Sequence, residues 1–159
     1  MNLQRIELAI PASDGLELAG DVMLPSGGTR RPALVSLYPY HKDDVIGSLF
    51  EDPRVKLVEA GYGVVLVDVR GHGTSPGERG MSFDLAGKEG ADAAAVVEWV
   101  AQRDWCTGAV GIWGVSYGAM LALAAAARHP PHLRAIAVVY VWRDNLGEMK
   151  PISVALKNN

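Results

Sequence analysis

Four short runs of apolar residues constrain this 159-residue chain more than anything else in it. They lie at residues 33–38, 64–69, 109–113 and 135–141, and each is mostly apolar at consecutive positions instead of alternating. A strand with one wet face alternates, whereas a strand covered on both faces does not, and sheets covered on both faces are mostly parallel. Helical stretches separate the runs. Residues 52–60 are helix-like, with Gly61 placed to end the element. Asp84 can start a longer helix reaching about Arg103, along which Ala93, Val96, Val97 and Val100 make one buried stripe. A third helix covers residues 117–128 and stops before His129-Pro130-Pro131. Upstream, residues 3–10 and 16–24 read as two strands joined by Ser13-Asp14-Gly15, a β-hairpin. The order is hairpin, then β-α-β-α-β-α-β, which predicts an open α/β sheet with right-handed crossovers. The last stretch, residues 142–159, has no clear periodicity.

The length fits one domain able to bury a core. A formal charge of −3 and the lack of a basic stripe argue against nucleic acid as a partner. A single cysteine, Cys106, rules out an internal disulfide framework, and no CxxC or His-rich tract points to a metal. The N-terminus alternates apolar and polar residues and lacks the apolar core of a signal peptide. No apolar run approaches the ~20 residues needed to cross a bilayer. A cytoplasmic protein with no cofactor and no membrane partner is expected.

The sharpest local signal is Gly114-Val115-Ser116-Tyr117-Gly118, a G-x-S-x-G pattern. The pentapeptide alone is weak. Here it follows the strand AVGIW directly and opens the helix YGAMLALAAAA, the strand–turn–helix setting that the motif needs. Such a turn strains the serine backbone, the glycines remove clashing side chains, and the hydroxyl projects above the sheet. The Tyr117 amide then lies at a helix N-terminus, where a developing oxyanion is favoured. The plain alternative is a small-residue turn that packs a helix closely on a sheet. A second oxyanion donor normally comes from the loop after the third strand, here Tyr38-Pro39-Tyr40-His41-Lys42. The Tyr40 phenol is chemically able to serve. Taken alone, it reads equally well as a half-buried residue at a cleft mouth. His41, in the same loop, reads as a solvated residue.

The segment from Asp68 to Glu78 is glycine-rich, but Gly71 and Gly73 lack the third glycine and following helix of a dinucleotide fingerprint. No Gly-Lys-Ser/Thr follows either, so a phosphate loop is excluded. A structural role is expected: a tight loop beside the serine turn, with Asp68 and Arg70 bracing backbone and His72 part of that scaffold.

Together these segments resemble the X-Pro dipeptidyl-peptidase and cocaine-esterase family of α/β-hydrolases. The resemblance is carried by Pro39-Tyr40-His41-Lys42, by Asp68-Val69-Arg70-Gly71-His72-Gly73-Thr74-Ser75, by WVAQRDW at 99–105 and by GAVGIWGVSYGA at 108–119. Glu89 and Asp92 fall where the family has acidic residues in the preceding helix, and the likeness covers roughly residues 6–139. It implies an α/β-hydrolase fold and hydrolysis of a small-molecule ester or a peptide amide through an acyl-serine intermediate. It implies Ser116 as nucleophile, with Tyr40 and the Tyr117 amide as the oxyanion hole. In the family a helical cap follows the sixth strand, and the catalytic acid and histidine come after the seventh and eighth.

On that resemblance, residues 1–141 are expected to be the N-terminal portion of the hydrolase domain and 142–159 the start of a cap or a divergent tail, with the later strands missing. His129 and His132 fall at the far end of the helix after Ser116, roughly 15 Å or more away at 1.5 Å per residue. Asp144, after the sixth strand, is expected to begin the cap. The chain alone is then weak or inactive for want of a base, and a non-catalytic binding module or an inactive truncated product are the alternatives. Residues 135–141 would form an apolar edge inviting homo-oligomerisation or aggregation.

Overall fold

The computed structural model describes residues 2–43, 53–80, 82–139 and 155–156. The hairpin forms as expected: β1 (Leu3–Pro11) pairs antiparallel with β2 (Glu17–Pro25), from Leu3 opposite Pro25 to Pro11 opposite Glu17. Gly15 closes the turn at φ +86°, a conformation that a side chain disfavours. There follow β3 (Arg31–Tyr38), α1 (Arg54–Glu59), β4 (Gly63–Asp68), α2 (Lys88–Ala101), β5 (Cys106–Val115), α3 (Tyr117–Ala126), β6 (Leu133–Val139) and the two-residue β7 (Ala155–Leu156).

These strands make one sheet in the order β1-β2-β4-β3-β5-β6-β7. β4, β3, β5 and β6 run parallel to their neighbours, and the hairpin and β7 are antiparallel additions at the two ends. The chain goes from β3 to β4 on one side, then crosses back over β3 to reach β5. With both crossovers right-handed, the reversal sends α1 and α2 to opposite faces. Packing agrees: Val65 and Val67 join the main core with Val96 and Val97 of α2 and Leu121 and Ala122 of α3. The alternate residues Val64 and Leu66 are buried on the other face, where α1 contributes Val58. All six residues of β4 are buried, which explains the apolar run from Val64 to Val67.

Three expectations shift. α2 begins at Lys88, not Asp84, because Asp84 instead accepts hydrogen bonds from the Gly87 and Lys88 amides at 3.0 and 2.8 Å, one turn ahead of the helix. Arg128, just beyond α3, donates to the carbonyls of Leu85, Ala86 and Gly87 and secures that turn. β5 starts at Cys106, three residues before its apolar run, through pairing of Cys106 with Arg31 across a register shift. β6 does not remain unpaired: Ala135 and Ile136 take β7 as a neighbour, a strand that nothing in residues 142–159 announced. Asp52, Tyr140, Val141 and Asp144 lie outside the described residues.

The glycine-rich loop braces the hairpin. Arg70 pairs with Asp92 of α2 at 2.6 Å and with Asp14 in the hairpin turn at 3.0 Å. Asp92 also accepts from the Ser13 amide and hydroxyl at 3.0 and 2.7 Å, so one buried carboxylate ties turn, loop and helix. Replacing it leaves Arg70 only Asp14. Asp92→Ala is expected to cost about 3 kcal/mol, the lower end for a broken buried pair because one partner remains. Urea denaturation checks this, and a midpoint matching the unsubstituted chain's would show that the network carries no stability.

Candidate active site

Ser116 occupies the junction between β5 and α3 with φ 56° and ψ −119°, a strained conformation for a residue with a Cβ. Its amide donates to the Val139 carbonyl of β6 at 3.0 Å, and its carbonyl accepts from the Ala119 and Met120 amides as the helix begins. The flanking glycines let the turn close, and at Gly114 no side chain fits. A Cβ on Gly114 would stand 2.3 Å from the Gly118 carbonyl group, and one on Gly118 would stand 3.1 Å from the Leu37 carbonyl oxygen of β3. The turn thus folds back on itself at Gly114 more tightly than any side chain allows, and at Gly118 it approaches β3 closely enough that a Cβ would press on the Leu37 carbonyl.

β3 and β5 are neighbours at the point where strand order reverses, and their C-terminal ends open one crevice. In open α/β sheets that crevice is where ligands bind. Tyr40 follows β3 by two residues and Ser116 follows β5 by one. The Tyr117 N–H donates to the Tyr40 phenol oxygen at 3.4 Å, bringing together residues 77 apart in the chain. Tyr40 is half-exposed, and its ring packs edge-on against Tyr38 with centroids 5.5 Å apart.

Asp68, at the end of β4, holds the loop that carries Tyr40. Its fully buried carboxylate accepts from the Lys42 amide at 2.6 Å and from the Thr74 amide at 2.9 Å. The glycine-rich loop therefore bends back over Asp68, and a Cβ on Gly73 would collide with the carboxylate at 2.2 Å. Lys42 is fastened a second time, its ammonium 2.9 Å from Asp43 and 3.7 Å from the buried Asp21. Arg5 of β1 reaches the same two carboxylates. With Arg5 and Lys42 beside it, the Asp43 carboxyl is held at about 2, below its ordinary range. The bracing role expected of Asp68 and Arg70 is what the contacts describe.

No described histidine is bonded to Ser116. His41 Nδ1 accepts from the Asp43 amide at 3.2 Å, and His72 Nδ1 meets the Arg70 carbonyl at 3.0 Å. His132 pairs with Glu98 at 2.7 Å beyond the far end of α3, and His129 follows the same helix end. Among the described residues no group of three or more metal-type side chains gathers, and no helix is long and apolar enough to cross a membrane.

One neighbour of the turn was not visible as such in the sequence. The Tyr117 side chain is buried, and its phenol O–H donates to the Glu89 carboxylate of α2. Glu89 was marked only by likeness in position; no spacing rule links a helix's first turn to a residue 28 positions later.

The sheet order and the tight strand–turn–helix are those of an α/β-hydrolase. An aminopeptidase from a marine-sediment Thaumarchaeota archaeon superposes with a TM-score of 0.74 at 23% identity, over 89% of this chain and 26% of its own, which speaks for the fold alone. A CocE/NonD family hydrolase from Staphylococcus aureus does so with a TM-score of 0.68 at 26% identity, over 87% of this chain and 28% of its own. Residues 14–150 match the X-Pro dipeptidyl-peptidase (S15) family, and the chain belongs to it. Cocaine esterase of Rhodococcus sp. (strain MB1 Bresler) is 35% identical over 129 residues, which are 80% of this chain and 22% of the esterase. The chain thus spans between a fifth and a third of the length of these relatives.

Burial first, and the Glu89 carboxylate second, push the Tyr117 phenol above the ordinary tyrosine range. A raised folded-state pKa means that the phenol's contribution to stability is complete below the unfolded value of ~10 and is lost as pH climbs past it. In an alkaline titration followed by phenolate absorbance, one of the five tyrosines is expected to ionise late. Tyr117→Phe should remove that late step. Its persistence in the variant would assign it elsewhere.

Proposed function

We propose that Ser116 is the nucleophile of a serine hydrolase that cleaves an ester or a peptide amide. Its oxygen attacks the substrate carbonyl carbon while its proton passes to a base. The tetrahedral oxyanion collapses, the leaving alcohol or amine departs with a proton, and water hydrolyses the acyl-serine. The oxyanion is stabilised by the Tyr117 N–H and the Tyr40 hydroxyl. One observation carries this: the two donors meet at 3.4 Å beside a serine at φ 56°. That contact is long for a hydrogen bond, and a negatively charged oxygen between the two groups would satisfy both better than they satisfy each other. Membership of the family supports the same chemistry. Esterase and aminopeptidase both occur among the relatives' names, which leaves both bond types within the proposal.

The base and its acid are proposed to come from outside the described residues, because no described histidine is bonded to Ser116 and the contacts of His41, His72 and His132 are to other groups. The 159-residue chain is then a well-presented but weakly activated nucleophile. A second reading, a binding module that keeps the cleft without turnover, is favoured by those same engaged histidines.

Purified chain is expected to hydrolyse a p-nitrophenyl ester close to background while reacting slowly with a fluorophosphonate at Ser116. Ser116→Ala should abolish that labelling, and Tyr40→Phe should slow it by roughly 10²-fold, the usual effect of losing one oxyanion donor. Labelling that survives Ser116→Ala would refute the nucleophile. Brisk Ser116-dependent turnover would instead place the base within this chain, with His41 and His72 the residues to replace.

A further inference from the structure

The chemistry just proposed uses the backbone of Tyr117 but not its side chain, whose phenol is nonetheless buried and bonded twice. The residue is 3% exposed and Glu89 is 1% exposed. The phenol O–H donates to Glu89 Oε2, and the Phe83 amide donates to the phenol oxygen at 3.1 Å. The Phe83 ring leans against the Tyr117 ring with centroids 4.6 Å apart. Tyr117 is therefore clamped at both ends. Its main chain follows the strained Ser116, and its tip is bonded to a carboxylate on a different helix.

We propose that Glu89 is a positioning residue for the oxyanion-binding amide, acting through the Tyr117 phenol to keep the Ser116–Tyr117 peptide N–H turned toward Tyr40. The inference rests on Ser116 being the nucleophile and on the Tyr117 amide serving the oxyanion. A residue at φ 56° and ψ −119° relaxes by rotating about the bonds beside it, and such rotation swings the next N–H out of line. Strained backbone persists only where the surroundings over-determine it. The glycines make room for the turn but oppose no rotation. The Ala119 and Met120 amides hold the carbonyl of the Ser116–Tyr117 peptide, and the buried bond at the far end of the Tyr117 side chain holds the residue from its other end. Carboxylate chemistry suits the task. The Glu89 oxygen accepts from the phenol O–H, which leaves the phenol's lone pairs for the Phe83 N–H. A carboxamide could present its NH₂ instead and break that order.

The test uses the full chain, labelled with ¹⁵N-tyrosine, with Glu89→Gln, Tyr117→Phe and the double variant. For Tyr117→Phe the label is ¹⁵N-phenylalanine, so that the residue 117 amide stays visible. Circular dichroism and thermal midpoint check the fold, and if Glu89→Gln does not fold, Tyr117→Phe removes the same bond from the other side. Both single variants are expected to move the residue 117 amide resonance and to speed its hydrogen exchange. The maximal rate of Ser116 labelling by a fluorophosphonate should fall about tenfold, with its half-saturating concentration unchanged, as for a small misplacement of a catalytic group. The double variant should lose no more than either single one, because all three remove one bond. An unchanged residue 117 amide, or a changed amide with undiminished labelling, overturns the positioning role. If unsubstituted chain labels no faster than Ser116→Ala, the nucleophile itself fails and takes the role of Glu89 with it. That outcome is told apart from the others by the serine control.

Discussion

A serine held at φ 56° between a strand and a helix is the constraint to which its surroundings are fitted. The conformation costs of order 1–3 kcal/mol and survives only if neighbouring atoms leave no better choice. The serine's amide donates to β6, Gly114 and Gly118 give up side chains so that the turn can close on itself and on β3, and amides in the first turn of α3 donate to the serine's carbonyl. The helix then starts at the serine, which is why an N–H of the first turn is left facing the crevice instead of another carbonyl.

The second layer of support is a set of buried carboxylates, which anchor loops to regular elements and, at Glu89, one helix to another. Asp68 binds the loop of Tyr40 and the glycine-rich loop to the end of β4, Asp92 binds Arg70 and the hairpin turn to α2, and Glu89 binds the side chain of Tyr117. Asp21, fully buried in β2, draws Arg5 and Lys42 toward the same loop. Burying charge is costly, and it is tolerated here because most of these oxygens meet amides, hydroxyls or cations in good geometry. The return is positional. The loop that carries Tyr40 is tied to the sheet through Asp68, and the Tyr40 hydroxyl meets the amide that follows the serine, the kind of fixed placement that an oxyanion site requires.

Much of the fold was legible because its strands are buried on both faces. The runs at 33–38 and 64–69 nearly coincide with β3 and β4, since both faces of these strands are covered and mostly apolar side chains fill them, the buried Ser36 and Asp68 being the polar exceptions. Boundaries were less legible where the chain uses polar groups locally. Asp84 has the chemistry of a helix cap, yet it caps a preceding turn secured by Arg128, a contact between residues more than forty positions apart. β5 hides its first residues behind Thr107 and Gly108, the latter at φ +89°, where no apolar run announces a strand. β7 has two residues, and short edge pairings leave no periodic trace.

What the sequence determined by itself was the alternation of buried strands and helices, the glycine-flanked serine between β5 and α3, and the family, because these depend on residue types at fixed local spacing. What only the tertiary structure decided was which residues surround that serine. Tyr40 meets the Tyr117 amide because β3 and β5 are neighbours, and Glu89 meets the Tyr117 phenol because α2 and α3 share a face of the sheet. Local spacing cannot encode such meetings. They follow from strand order and crossover handedness, which bring distant segments together only once the whole sheet has formed.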